Sequence, residues 1–168
     1  MITKIDLFCR YLERMGEEAM KITNEDLNYG GCAVYASMVV NAALRASLPA
    51  FGMVATYEGD SLIDQRPDDP ESVDAWNDNG VQFNHVGFLI RCNKKISIIG
   101  DSNNVSNSSN TNDLSGWPII PGVMNFRELH GITRFAHDWN TIFDRGCIPD
   151  LQSLVNSFMH PSKINRYR

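Results

Sequence analysis

Cysteine is sparse in this sequence and unpatterned. The four cysteines, Cys9, Cys32, Cys92 and Cys147, are scattered and form no CxxC pair. A disulfide scaffold or a zinc framework needs denser, regular spacing. They therefore read as reduced thiols in a cytoplasmic protein. Long apolar runs are also lacking: no stretch approaches the roughly 20 residues of a membrane span. The start, MITKIDLFCRYLERMGEEAM, carries charges throughout, unlike a signal peptide. Positive charge is in deficit, with 15 Lys and Arg against 20 Asp and Glu, a net charge of −5. That argues against nucleic-acid binding driven by phosphate attraction. Glycine-rich phosphate loops are missing, which removes support for nucleotide chemistry. No internal repeat is visible, and no cofactor is implied.

The composition is that of a globular chain, with 43% hydrophobic and 21% charged residues in 168. This length suits a single domain with its own core. Residues 3–22 carry apolar side chains at Ile5, Phe8, Cys9, Leu12, Met15 and Met20, a spacing that predicts an amphipathic helix. A polar, glycine-containing break follows. Residues 32–47, CAVYASMVVNAALRAS, are apolar almost all round and predict a helix buried on most sides. Leu48-Pro49 ends it.

Residues 50–57 read as a strand. Residues 58–80 hold eight acidic residues against one basic residue, Arg66. They read as a loop, either a plain solvated one or one that selects a cationic substrate. Residues 81–91 and 95–100 predict a β-hairpin across the turn Cys92-Asn93-Lys94. Residues 102–115, rich in Asn and Ser, read as a mobile loop. Residues 117–123 read as an apolar connector or short edge strand. Helices are expected over 125–143 and 149–158, and residues 160–168 should be frayed. The fold class is thus α+β: an N-terminal helical layer on a mainly antiparallel sheet, with further helices at about 125–160.

Two features carry chemistry. Asn28-Tyr29-Gly30-Gly31-Cys32 leads directly into the buried helix. A thiol at a helix N-terminus has its thiolate stabilised by the dipole and the free N–H groups. Those groups can also hold an oxyanion, and Gly30 and Gly31 let a substrate approach. The plainer reading makes Cys32 a small apolar core residue. His85 lies in the first hairpin strand and Asp101 closes the second. With an odd turn of three, His85 directly faces Asp101, and the carboxylate can orient the imidazole. With an even turn, His85 faces Ser102 and the pair is broken.

The order of Cys at a helix start, His on a strand and Asp at the next strand's end resembles the papain-like superfamily. The resemblance is strongest to the bacteriocin-processing peptidases and to the transglutaminase-like and arylamine acetyltransferase branches. It spans about residues 24–104 and rests on short motifs and their order. It implies a papain-like domain with Cys32 as nucleophile, His85 as general base and acid, and Asp101 as the orienting carboxylate. Peptides, proteins or small amides, cationic ones among them, are the implied substrates. The sequence departs from the family in lacking the Gln that many members place shortly before the Cys. Asn28 or Asn24 could supply an amide instead, though Asn28 also fits a turn or cap. Gln82 and Gly31 are further candidates near the oxyanion, and Trp117 could line a cleft. His130 and His137 stand about two helical turns apart, too far to share one metal. The expected reaction is acyl transfer at an amide, peptide or isopeptide bond through a thioester. Transglutaminase-like or N-acyltransferase-like transfer is the alternative within enzymes. A binding or inhibitor protein on the same scaffold, such as a phage or bacterial effector, is the alternative outside them.

Overall fold

The computed structural model describes residues 1–24, 27, 31–55, 57–58, 61–62, 85–108, 119–120 and 146–168. Helix α1 covers Lys4–Thr23. It opens on a capping box, in which the Asp6 backbone N–H donates to Thr3 Oγ1 and the Thr3 N–H donates to Asp6 Oδ2. Phe8, Leu12, Met15 and Ala19 are buried along it, the stripe that 3.6-residue periodicity requires. It stops at Asn24, whose φ of 54° is left-handed.

Helix α2 covers Cys32–Arg45 and is buried on almost every side, from Cys32 through Val40 without a break. Strand β1 (Ala50–Ala55) follows, then the two-residue strands β2 (Tyr57–Glu58) and β3 (Ser61–Leu62), which pair with each other. Strands β4 (His85–Arg91), β5 (Ser97–Gly100), β6 (Val105–Ser108) and β7 (Ile119–Ile120) join β1 in a five-stranded antiparallel sheet of order β6-β5-β4-β1-β7. Helix α3 (Ile148–Phe158), the short α4 (Pro161–Ile164) and a 3₁₀ turn (Asn165–Tyr167) complete the described chain. The class is α+β, as expected.

One face of the sheet builds the core. Ala50, Val86, Phe88, Ile90, Ile98 and Val105 form a buried cluster with the inner faces of α1 and α2. Burying each large side chain contributes about 1.5–3 kcal/mol. Helix α2 packs on β4 and β1, while α1 packs on β6 and α3.

Three expectations need correction. The hairpin loop is 92–96 rather than 92–94, because Asn93 Oδ1 accepts from the N–H of Lys95 (2.8 Å) and of Ile96 (2.9 Å). That Asx-type turn removes both residues from the strand. Residues 105–108, expected to be mobile, pair with β5 as an edge strand. Backbone pairing tolerates their polar side chains: Ser106 and Asn107 are exposed, the Asn107 amide donates to Asp6 Oδ1 at 2.8 Å, and Val105 is buried. The tail is not frayed. Tyr167 stacks on Phe8 with centroids 5.1 Å apart, Ile164 is buried, and the Arg168 guanidinium donates to the carbonyls of Ala46 (3.1 Å) and Ser47 (2.9 Å). Those contacts close the C-terminal end of α2. The short edge strand at Ile119–Ile120 agrees with expectation. The helix expected over 125–143, with His130 and His137, and nearly all of the acidic stretch 58–80 lie outside the described residues.

Candidate active site

Helix α2 begins at Cys32, with Gly31 as its N-cap. Gly31 has no side chain, so it offers no cap to the first N–H groups of the helix. Its carbonyl accepts from the Tyr35 N–H at 3.1 Å, which starts the helical ladder. Cys32 is 3% exposed.

His85 opens β4 and pairs with Ala55 of β1. Asp101 lies just past β5, in the four-residue connection to β6. Phe88 pairs with Gly100, which continues the register to Asp101 opposite Gly87. His85 and Gly87 are alternate residues of one strand and share a face. His85 and Asp101 are therefore diagonal neighbours, not directly opposed as the sequence suggested. The five-residue loop shifts the register by two, which preserves the face. His85 Nε2 stands 2.9 Å from Asp101 Oδ2, with 22% and 18% of the two side chains exposed.

The Asp101 carboxylate is locked by its own loop. Oδ1 accepts from the N–H of Asn103 (2.8 Å) and Asn104 (2.9 Å), and the Asp101 N–H donates to the Asn104 carbonyl at 2.9 Å. The loop is pressed onto α1 at Gly16, where a Cβ would overlap the Ser102 carbonyl. Glycine there permits the closest approach of backbone to helix.

Charge follows from this geometry. Burial pushes the Asp101 carboxyl up, but hydrogen bonds from His85 and from the Asn104 and Asn103 N–H groups outweigh it and bring it to about 2. Asp101 is thus an acceptor only, so Nε2 carries a hydrogen and donates. Nδ1 is then the ring nitrogen left for the thiol. Burial also pushes the His85 ring down. The Asp101 hydrogen bond, a side-chain hydrogen bond with Cys32 and the charges of both outweigh it, raising the ring from 6.5 to about 9. Cys32 thus acts on the ring electrostatically. Elsewhere, burial pushes the thiols of Cys9 and Cys92 up to about 11, which leaves both as poor nucleophiles at neutral pH.

No family model, curated protein or solved structure matches this chain. The chemistry of the site is read from its own geometry.

Cys32, His85 and Asp101, separated in sequence, are brought together, and Gly31 adjoins the sulfur-bearing residue. Asn28, Gln82 and Trp117 lie outside the described residues. Among the described residues, no group of three or more His, Cys, Asp or Glu side chains could hold a metal ion, and no helix is long and apolar enough to cross a membrane. Sequence reasoning missed Gly16 and the Asn103 and Asn104 N–H groups, which fix the carboxylate, because their role depends on tertiary contact.

Proposed function

We propose that the protein is a cysteine hydrolase on a papain-like scaffold, cleaving an amide, peptide or isopeptide bond. The observation that carries this reading is the His85 Nε2 to Asp101 Oδ2 contact of 2.9 Å, with Cys32 among the groups that raise the ring. The ring takes the thiol proton at Nδ1 while Asp101 holds Nε2–H and stabilises the imidazolium. The sulfur attacks the substrate carbonyl carbon, and the oxyanion is held by the N–H groups that open α2. The imidazolium gives its proton to the leaving amine as the C–N bond breaks, leaving a thioester on Cys32. Water, deprotonated by the same ring, adds to the thioester, and the carboxylic acid leaves as the thiol is restored. An amine in place of water would make the same site an acyltransferase. Peptides, proteins and small amides are the substrate class, cationic ones among them.

One observation favours a non-catalytic binding protein instead: Cys32 is 3% exposed. The half-buried His85 and Asp101 side chains offer the approach a substrate needs. Turnover of aminocoumarin peptide amides and of a small thioester separates the two readings. The enzyme should release product, and Cys32→Ala and His85→Ala should each lose at least about 100-fold. Full activity in Cys32→Ala would overturn the assignment.

A further inference from the structure

Tyr35 stands on α2 one turn beyond Cys32 and is 1% exposed. Its ring meets Phe88 edge-on, with centroids 6.4 Å apart and planes at 61°. Phe88 pairs with Gly100, and Phe88 Cζ lies 2.8 Å from where a Cβ on Gly100 would stand. The tyrosine therefore packs where Phe88 meets Gly100, the residue before Asp101. Its hydroxyl has no hydrogen-bond partner among the described residues. A buried hydroxyl left in that state costs about 1–3 kcal/mol, and phenylalanine would fill the same space without the cost.

Asp101 has the matching vacancy in its bonding. An ionised carboxylate accepts at about four positions. Among the described residues three are taken, two on Oδ1 by Asn103 and Asn104 and one on Oδ2 by His85. Burial first, and the negative charge of Asp101 second, hold the Tyr35 phenol in its protonated form. It is a donor throughout the working range, and it lies within the electrostatic reach of that carboxylate.

We infer that Tyr35 is a positioning residue whose hydroxyl donates, through one bridging water, to the remaining acceptor site of Asp101. A water suits a polar gap too wide for a direct bond, provided it has polar partners on both sides. The fourth bond fixes the carboxylate against rotation and so fixes the ring that handles the Cys32 proton. This inference rests on the triad reading and deepens it.

The test is Tyr35→Phe, nearly isosteric, with folding checked by circular dichroism. The ring of His85 is titrated by NMR in the wild type, in Tyr35→Phe and in Asp101→Asn. Among the described residues, the titratable groups acting on that ring are Asp101 from the β5–β6 loop and Cys32 from α2, and Tyr35→Phe alters neither. A positioning role predicts a His85 midpoint at least about half a pH unit below wild type in Tyr35→Phe. It also predicts kcat lower by about 3- to 10-fold at unchanged KM. A midpoint equal to wild type, with melting temperature raised by removal of the idle hydroxyl, would overturn the inference. Asp101→Asn separates the two claims. A midpoint that moves in Asp101→Asn but not in Tyr35→Phe sinks this inference alone, and one that moves in neither sinks the triad as well.

Discussion

Replacing Asp101 by Asn keeps the shape of the side chain and removes its charge. His85 is raised from 6.5 to about 9 against the pull of burial, a net gain for the charged ring of about 3 kcal/mol. The hydrogen bond to Asp101 is the largest of the raising causes, ahead of Cys32. Assigning it half of the net gain gives about 1.5 kcal/mol, or roughly tenfold in the protonation equilibrium. The His85 midpoint should thus fall by about one pH unit or more in Asp101→Asn, read from the ring proton shifts. The amide can also present N–H where Nε2–H must be accepted, which misplaces the tautomer, so hydrolysis should fall by about 10²–10⁴. A midpoint that stays near 9, or unchanged turnover, would refute the claim that this carboxylate controls the ring.

Gly16→Ala should destabilise the fold by about 1–3 kcal/mol in urea unfolding, because the new methyl group meets the Ser102 carbonyl. It should also lower activity, since the displaced loop carries Asp101. Asn93→Ala should cost about 1 kcal/mol, through the loss of two hydrogen bonds that shape the β4–β5 loop. Stability should depend on pH at both ends. The folded pKa of His85 lies above its unfolded value, so its contribution is complete below about pH 6.5 and is lost as pH rises from there through about 9. That of Asp101 lies below, so its contribution is complete above 3.8 and is lost as pH falls from there through about 2. Denaturant titrations across pH should show both losses in the wild type and a diminished alkaline loss in His85→Ala.

Local features of this chain were the ones legible in its sequence. The stripe Phe8, Leu12, Met15 and Ala19 announces α1, and the unbroken apolar run after Gly31 announces a buried α2. The parity of the β4–β5 turn was the decisive choice for the site, and an odd loop does place His85 and Asp101 on one face. Its length was not legible, because Asn93 could bind either the turn or the solvent until the strands paired. Strand β6 was hidden by its composition: an edge strand needs backbone partners, and three of its four residues are Ser or Asn. The tail looked disordered because its anchors are distant, with Tyr167 on Phe8 and Arg168 on the Ala46 and Ser47 carbonyls just past α2. Two of the bonds that hold Asp101 come from backbone N–H groups, which every residue but proline possesses and no motif reveals.

The proton handling of Cys32 by His85 is tested most directly by timed iodoacetamide labelling at pH 6, with each cysteine followed by mass spectrometry. Cys9 and Cys92 are held protonated, with values near 11, and should react slowly. Cys32 should react at least about tenfold faster than either, and His85→Ala should abolish the difference. Equal rates at all three thiols in the wild type, or a fast Cys32 that does not depend on His85, would contradict the account.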